Sequence, residues 1–537
     1  MNAQLSVVPP ATDARPSGLR PSWVIDEVID ELTGWVSRDP SGQAEPIVGV
    51  APFDLQTIAA IPASTADDVA AAVDVGHGAQ PGWAVTPFRR RQAVVLAFHD
   101  LLMERQDQVI DLIQWETGKA RLHAWQEVAQ VATIARHYAR RGAAYLADNP
   151  VRGMVPGLTK VREVRVPRGV VGIISPWNYP LYLGVGDVIP ALLAGNAVVS
   201  KADSQTALTL LWTRALMAEA GLPADLWQIV VGPGSVAGTA LINAVDYICF
   251  TGSTQTGRRV GEQAGARLIG ASLELGGKNP LIVREDADLA KAAAGTVTAS
   301  FTNTGQMCIS IERVYVHESV YEAFVAELVK QTKALTLGQG FDYSYDVGCL
   351  TSESQLQAVR DHVDEAVAKG ATVLAGGRAR PDLGPLYYEP TVLADVTPDM
   401  SVCGEETFGP VISVYPYTND TDAIRLANEG NYGLSASIWS ASARRADTLA
   451  RRIRSGAVSI NDGAAAAAGS IEAGMGGMGD SGLGRRHGAE GIRKYTESQT
   501  IAAQRLVALG VPVNKTIAQF VDMSNKQLKL FRRLGLR

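Results

Sequence analysis

Residues 247–257 have the sequence YICFTGSTQTG, in which a short apolar run passes through a glycine-bounded polar loop into a segment with helical spacing. Two similar apolar runs come earlier, VVGII at 170–174 and NAVVSK at 196–201, and a helical segment follows each. A strand that leads through a glycine turn into a helix is typical of the parallel sheets that bind nucleotides. The stretch therefore predicts an α/β fold with a Rossmann-type unit.

The segments on either side extend this organisation. Residues 66–145 carry apolar residues at three- and four-residue spacing, which predicts consecutive amphipathic helices. The alternating sequence KVREVRVP at 160–167 predicts an extended strand outside the nucleotide-binding unit. From Asn279 onward, apolar runs alternate with helical segments again, which predicts a second α/β unit. The length of 537 residues suits two or three domains.

Composition limits the class of function. The net charge of -6 argues against a nucleic-acid-binding body, because phosphate contacts need clustered positive charge. Four cysteines without a CxxC pair favour a reducing compartment and predict neither a disulfide framework nor a metal site. The N-terminus lacks the apolar core of a signal peptide, so we expect a cytoplasmic protein with a disordered lead-in at 1–22.

The C-terminal segment, residues 505–537, differs in charge from the rest of the chain. It contains seven Lys or Arg residues and one acidic residue, a net charge of +6, which leaves about -12 for the remainder. Interleaved apolar residues predict a basic amphipathic helix. Two interpretations stay open: weak contact with an anionic membrane surface or a partner, and a solvated or subunit-packing extension.

The first motif with candidate chemistry surrounds Cys308 in FTNTGQMCIS at 301–310. A cysteine in a polar segment after a helix can lie near backbone N–H groups that lower its thiol pKa and make it a nucleophile. A structural thiol is the alternative. Cys249, inside the strand YICF, is typical of a small buried residue, and neither Cys349 nor Cys403 has a stronger local pattern.

Two further motifs carry a carboxylate and an amide. In LELGGKNP at 273–280, Glu274 lies between two leucines, where an apolar setting raises a carboxyl pKa toward the range of a general base. In SPWNYP at 175–180, Asn178 follows a predicted strand, and its side-chain amide could donate to a developing oxyanion. A surface glutamate and a turn-forming asparagine are the alternatives.

A fourth group of residues suits a nucleotide cofactor. Gly252, Ser253 and Gly257 lie in the loop between a predicted strand and helix, where backbone can approach a phosphate. The spacing is not GxGxxG, so the loop alone is weak evidence. Lys201 closes the strand NAVVSK and could donate to a ribose or pair with a phosphate.

Together these motifs make the chain resemble the aldehyde dehydrogenase superfamily, because they occur in the same order as in that superfamily. The resemblance extends from about Asp26 to Ala503. The resemblance implies that Cys308 attacks an aldehyde and that Asn178 and the Cys308 amide hold the oxyanion. It implies that Glu274 activates the water that hydrolyses the thioester. It also assigns further cofactor contacts, and these are Ser175, Trp177, Leu275, Glu406 and Phe408.

The resemblance bears on the choice of cofactor. Many NAD-using members carry a glutamate three residues after the motif lysine, and the matching position here is Ser204. A neutral hydroxyl does not repel a 2′-phosphate, and Lys201 supplies positive charge nearby. We therefore expect NADP as the cofactor, with NAD as a possible second.

Along the whole chain, notably in ISIERVYV, KGATVLAGGRARPDLGPLYYEPTVL and KYTESQTIA, the sequence resembles actinobacterial NADP-dependent succinate-semialdehyde dehydrogenases, which implies succinate semialdehyde as the substrate. Two arginines that hold the substrate carboxylate in well-known members are replaced by Gly186 and Thr302. Arg313, Arg485 and Arg486 are candidates to compensate. An alanine-rich segment after Asn461 implies a roomier, more apolar channel, which keeps medium-chain or aromatic aldehydes open. A CoA-acylating dehydrogenase and a non-catalytic relative of the superfamily are less favoured alternatives for the function.

The resemblance also implies domain boundaries and assembly. We expect a homodimer or homotetramer that joins through a small β oligomerisation flap. The expected parts are a cofactor-binding domain at 23–148 and 169–275, a catalytic domain at 276–480, the flap at 149–168 and 490–504, and the basic extension at 505–537.

Overall fold

A computed structural model describes residues 20–42, 44–153, 159–504 and 510–535. Most of the predicted lead-in, residues 1–19, lies outside these ranges, as do residues 505–509 and 536–537 of the C-terminal extension.

The described α-helices are α1 (Asp26–Thr33), α2 (Ala66–Ala84), α3 (Phe88–Glu104), α4 (Gln106–Thr117), α5 (Arg121–Tyr145), α6 (Pro180–Val185), α7 (Val188–Leu193), α8 (Ala207–Glu219), α9 (Thr239–Ala244), α10 (Thr254–Ala266), α11 (Leu289–Phe301), α12 (Tyr321–Lys333), α13 (Glu353–Ala368), α14 (Ser401–Gly404), α15 (Asp420–Ala427), α16 (Ala443–Ala450), α17 (Ala465–Ala468), α18 (Gly488–Arg493) and α19 (Ile517–Arg533). The described strands are β1 (Ile47–Val50), β2 (Thr57–Ile61), β3 (Asn149–Arg152), β4 (Thr159–Pro167), β5 (Val170–Ile174), β6 (Ala197–Ala202), β7 (Trp227–Val231), β8 (Tyr247–Thr251), β9 (Gly270–Glu274), β10 (Asn279–Val283), β11 (Ile311–His317), β12 (Thr372–Ala375), β13 (Thr391–Ala394), β14 (Val411–Tyr417), β15 (Ser435–Trp439), β16 (Ala457–Ile460), β17 (Gly482–Leu483) and β18 (Thr496–Gln504).

The first large sheet has six strands in the order β17-β9-β8-β5-β6-β7. All neighbours are parallel except β17 and β9. Strands β6 and β7 lie on one side of β5, and β8 and β9 lie on the other, so the strand order reverses at β5 and β8. Ligands of open α/β sheets bind in the crevice at the carboxyl ends of strands at such a point.

The predicted α/β class and the predicted elements of this sheet are confirmed. The apolar runs form β5, β6 and β8, which are buried along nearly their whole length, as strands covered on both faces by helices must be. The predicted helical layer consists of α2 to α5. Helix α2 begins with a capping box in which the Thr65 side chain and the Asp68 side chain each bind the other's backbone N–H.

The second large sheet has seven strands in the order β12-β13-β14-β11-β10-β15-β16. Its neighbours are parallel except β12 and β13. Strand β9 of the first sheet ends at Glu274, and β10 of the second begins at Asn279. The motif LELGGKNP therefore connects the two sheets through four residues.

A separate antiparallel sheet has the order β18-β4-β3. The predicted strand KVREVRVP lies within β4 and pairs with β18, from Thr496 opposite Pro167 to Gln504 opposite Thr159. Strand β18 is an edge strand, and its residues after Thr496 are exposed. The roles of the three sheets in cofactor binding, catalysis and assembly remain predictions.

Two further segments, the alanine-rich segment after Asn461 and the C-terminal extension, each contain a helix. The alanine-rich segment contains α17, a single helical turn. The Asp462 carboxylate starts this turn by accepting hydrogen bonds from the N–H groups of Ala464 and Ala465. The predicted helix in the C-terminal extension is α19. Across the described ranges, no helix is both long and apolar enough to span a bilayer.

Gly257 provides a test of the packing between α10 and the motif after β9. A Cβ atom at Gly257 would lie 2.2 Å from Cδ2 of Leu275, whereas one at Gly265 in the same helix would meet no atom within 4 Å. We expect Gly257→Ala to lower the free energy of unfolding by about 1–3 kcal/mol through overpacking. Gly265→Ala, the matched control, should raise it by up to about 1 kcal/mol through helix propensity. Equal urea midpoints for the two variants would contradict this packing.

Candidate active site

A cavity of about 550 Å³ brings together two of the three predicted catalytic residues. Cys308 and Glu274 both line it, with Arg486. Asn178 is buried beside the segment that carries Cys308, and its Nδ2 donates to the Gln306 carbonyl at 3.0 Å. An amide NH2 has two donors, so this bond leaves one N–H of Asn178 for another acceptor.

An unusual backbone turn presents Cys308 to the cavity. Asn303, Thr304 and Gly305, between α11 and Cys308, have positive φ angles of 53°, 57° and 71°. The Nδ2 of Asn303 donates to the carbonyls of Gln306 (3.0 Å) and Asn178 (3.1 Å), which compensates for the strain in the turn. A Cβ atom at Gly305 would lie 2.0 Å from the Gly409 carbonyl oxygen, so this position requires glycine.

A local backbone N–H lowers the pKa of Cys308 as its sequence context predicts, but the net shift is upward. Burial raises the pKa of Cys308 to about 12, and the nearby carboxylates of Glu274 and Glu406 contribute to the rise. Arg486 and the Cys308 backbone N–H act in the opposite direction but are outweighed. The thiol is therefore protonated near neutral pH, and its use as a nucleophile requires a base.

Glu274 has the properties of that base. It is the last residue of β9, is 4% exposed, and neither carboxylate oxygen has a hydrogen-bond partner among the described residues. Burial raises the pKa of Glu274 to about 7, and Arg486 limits the rise. A carboxyl group with a pKa near neutrality can both take up and release a proton at physiological pH.

A buried ion network that the sequence did not predict holds Arg486 at the cavity wall. Arg486 Nε donates to Oδ2 of Asp187 at 2.9 Å, while Nη2 lies 2.6 Å from the same oxygen and donates to the Thr251 hydroxyl at 2.6 Å. Lys494 Nζ (2.9 Å) and the Tyr495 hydroxyl (2.6 Å) donate to the other oxygen of Asp187. The two cations and one carboxylate have a net charge of +1 beside Glu274.

A second buried ion pair positions Asn178. Lys119 and Glu127 are fully buried, and their Nζ and Oε1 atoms lie 2.6 Å apart. Lys119 Nζ also donates to the Asn178 carbonyl at 2.6 Å, while Oε2 of Glu127 accepts the N–H groups of Leu181 and Tyr182. The pair thus fixes the backbone on both sides of Tyr179. Such fully paired buried charges are costly to disrupt singly.

The three candidate arginines occupy different environments. Arg313 is buried and bonds to backbone carbonyls, including Lys278 O at 2.9 Å, and Arg485 Nη1 donates to Gly477 O at 3.0 Å. Neither contributes to the cavity wall. Arg486 is the only Lys or Arg among the described residues that line it. Of the two replaced positions, Thr302 lines the cavity and Gly186 does not.

The predicted residues of the nicotinamide side lie next to one another. Glu406 Oε1 accepts the Gly277 N–H at 2.8 Å, and burial raises the pKa of Glu406 to about 8, with the charge of Glu312 adding to the rise. The ring centroids of Phe408 and Trp177 are 5.6 Å apart in an edge-to-face arrangement. Glu312, missed by sequence reasoning, also accepts the Phe408 N–H at 3.0 Å.

The predicted residues of the phosphate and ribose side lie at the ends of β6 and β8. Lys201 is 7% exposed, its ammonium makes no ion pair within the described residues, and burial lowers its pKa. Ser204 is half-buried, and the buried Ser175 donates its N–H to the Lys201 carbonyl at 3.3 Å.

The glycine loop after β8 leads into α10. Ser253 is the N-cap residue of α10, and Gly252 precedes it. Gly257 contacts Leu275, so its clearest role in this structure is helix packing. A near-buried lysine without an ionic partner and a helix N-terminus at the strand switch point fit a phosphate-bearing dinucleotide.

This fold and this grouping of thiol, carboxylate and amide are typical of enzymes that combine a nucleotide-binding sheet with a cysteine nucleophile. The family model described as aldehyde dehydrogenase family matches residues 35–501, and the chain belongs to that family.

Individual relatives agree with this membership. The chain is 50% identical over 471 residues to a Mycolicibacterium smegmatis protein named "Putative succinate-semialdehyde dehydrogenase [NADP(+)]", covering 88% of this chain and 91% of that one. It is 33% identical to an Escherichia coli succinate-semialdehyde dehydrogenase [NADP(+)], covering 83% and 92%. A solved NAD-dependent aldehyde dehydrogenase from Sinorhizobium meliloti is 33% identical and has a TM-score of 0.84, covering 90% and 95%.

The raised pKa of Cys308 can be tested by alkylation with iodoacetamide. Because only the thiolate reacts, we expect the rate at Cys308 to rise about tenfold per pH unit between about pH 7 and pH 9. Cys308→Ala gives the background from the other three cysteines. A rate that levels off below about pH 9 would contradict this account.

Proposed function

We propose that this protein oxidises an aldehyde to a carboxylate with NADP, through a covalent intermediate on Cys308. The observation that carries the proposal is the cavity in which the Cys308 thiol faces a buried carboxyl group with a pKa of about 7. A nucleophile with an adjacent base is the arrangement that covalent catalysis requires. The names of the relatives, including those from M. smegmatis and E. coli, support the choice of reaction.

In the first half of the proposed reaction, Glu274 takes the proton of the Cys308 thiol as sulfur attacks the carbonyl carbon. The second N–H of Asn178 and the backbone N–H of Cys308 stabilise the resulting oxyanion. NADP accepts the hydride when bound, and the thiohemiacetal on Cys308 becomes a thioester.

In the second half, Glu274 first releases the thiol proton to solvent and then takes a proton from a water molecule that attacks the thioester. It returns this proton to the Cys308 sulfur as the carboxylic acid leaves and ionises. One aldehyde, one water and one NADP+ give one carboxylate, one NADPH and two protons. Glu274 must be ionised for this step, so hydrolysis is favoured above about pH 7. Its presence supports hydrolysis rather than transfer of the acyl group to CoA, and the complete site supports an active enzyme rather than a non-catalytic relative.

Succinate semialdehyde is the proposed substrate, and the names of the M. smegmatis and E. coli relatives support it. Arg486, which lines the cavity and belongs to the buried network with Lys494 and Asp187, is the proposed contact for its carboxylate. A medium-chain or aromatic aldehyde is the second candidate, because the wall is rich in apolar and aromatic side chains and Arg486 is already paired. The apolar set includes Trp125, Tyr179, Leu183, Met307, Ile309, Trp439 and Met475.

The proposal also includes an oligomeric state and a cellular location. A homodimer or homotetramer is supported by the exposed edge of β18, which offers unpaired backbone groups to a second copy. A cytoplasmic location is supported by the four free cysteines, since a reducing compartment preserves thiols.

An aldehyde panel tests the reaction and the substrate together. We expect NADP-dependent oxidation of succinate semialdehyde with a higher kcat/KM than that of hexanal or benzaldehyde. A higher kcat/KM for one of the neutral aldehydes would select the second candidate. Cys308→Ala should abolish turnover of all three, since it removes the nucleophile. Full activity in Cys308→Ala would refute the mechanism, and a requirement for CoA would refute hydrolysis.

The cofactor preference depends on Ser204. We expect wild-type enzyme to have a higher kcat/KM with NADP than with NAD, and Ser204→Glu to reduce that ratio about tenfold or more by repelling the 2′-phosphate. Ser204→Gln, which adds similar bulk without charge, is the control and should change the ratio less. A wild-type preference for NAD would contradict the assignment.

A further inference from the structure

Helix α19 carries two different faces along its length. Its apolar residues recur at three- and four-residue spacing, which places them on one side of a helix. They are Ile517, Phe520, Val521, Leu528 and Phe531, with Met523 and Leu530 widening the same side. Projected at 3.6 residues per turn, this apolar side covers about half of the circumference.

The other side of α19 is basic. Lys526, Lys529, Arg532 and Arg533 lie on it, again at three- and four-residue spacing. Asp522 is the only acidic residue of the helix, and it pairs with Lys526 at 2.7 Å. The helix is thus a cationic amphipathic helix.

The apolar side of α19 is largely uncovered by the described chain, and Phe520 and Phe531 are half-buried together with Ser524 and Gln527 on the same side. No residue of the helix is buried, and the exposed fractions of Ile517, Leu528 and Leu530 are 72%, 59% and 51%. Thr516 and Gln519 form a capping box that starts the helix. A solitary helix of this length is only marginally stable in water, so a surface that covers the apolar side would stabilise it.

The helix also lies outside the part of the chain that the family shares. The family match ends at residue 501, before the helix begins. The helix therefore lies outside the segment that carries the chemistry proposed at Cys308.

The two faces together favour one kind of surface. A protein groove would cover the apolar side and leave the basic residues directed away from it, without ionic partners. Association of several α19 helices would gather like charges, because each brings four cations and one carboxylate. At an anionic bilayer, by contrast, the apolar side enters the headgroup region while long Lys and Arg side chains reach the phosphates.

We propose that α19 is a reversible anchor that binds the enzyme to anionic lipid bilayer surfaces. The helix lies in the plane of the surface, with Phe520, Leu528 and Phe531 inserted among the acyl chains and the basic side at the headgroups. A single helix of this kind binds weakly, and several copies in an oligomer bind more tightly through multivalency.

The test is co-sedimentation of the full-length protein with vesicles of phosphatidylcholine alone or mixed with phosphatidylglycerol. We expect sedimentation only with the mixed vesicles and release at high salt, because salt screens the headgroup charge. Lys526→Glu with Lys529→Glu should lower the apparent affinity at least about tenfold. Leu528→Ser with Phe531→Ser, which leaves the charge unchanged, should also lower it strongly.

A control variant distinguishes the effect of charge on α19 from the effect of charge elsewhere on the protein. Lys291→Glu with Lys330→Glu makes the same change in charge at residues of the enzyme body whose side chains are 79% and 75% exposed, and it should retain binding. Equal loss in this control, equal binding to neutral vesicles, or no binding at all would overturn the proposal. A lipid-free change of oligomeric mass in the Leu528 and Phe531 variant would overturn it in favour of subunit packing. Aldehyde oxidation is a separate readout, so failure of the proposed activity would leave this result interpretable.

Discussion

The short connection between the two large sheets is the constraint on which the site depends. Four residues join Glu274 at the end of β9 to Asn279 at the start of β10, so the carboxylate cannot move away from the boundary between the sheets. A Cβ atom at Gly276 would lie 2.2 Å from Glu406 Oε2, and one at Gly277 would lie 2.6 Å from the Cys308 carbonyl oxygen. The glycine pair therefore permits the close approach that places Glu274 and Cys308 in one cavity.

The sequence allows the parallel strands and the motif residues to be predicted, because apolar runs with glycine turns are local signals. It does not reveal the two buried ion networks, and in the first of them Asp187 and Arg486 lie 299 positions apart in the chain. A partial signal exists in the first network, since Asp187 is a lone charge in the apolar run GVGDVIPALL. Lys119 and Glu127 have no comparable signal in a helical region with many charges.

The pKa of the Cys308 thiol is likewise not predictable from the sequence alone. A sequence identifies backbone N–H groups near Cys308, but it does not give the burial of sulfur or the approach of Glu274 and Glu406 from other elements. These effects raise the pKa where the local pattern predicts a lower one. The same burial leaves Glu274 with a pKa of about 7 and therefore supplies the base that a protonated thiol requires.

Strand β17 has a consequence for the synthesis of the protein on the ribosome. Gly482 and Leu483 pair with Glu274 and Leu273, and Arg486 then reaches Asp187 in the same half of the molecule. In the nascent chain, one edge of β9 therefore stays unpaired while about two hundred further residues are translated. Exposed strand edges invite pairing with other chains, so β9 is open to such pairing during this interval.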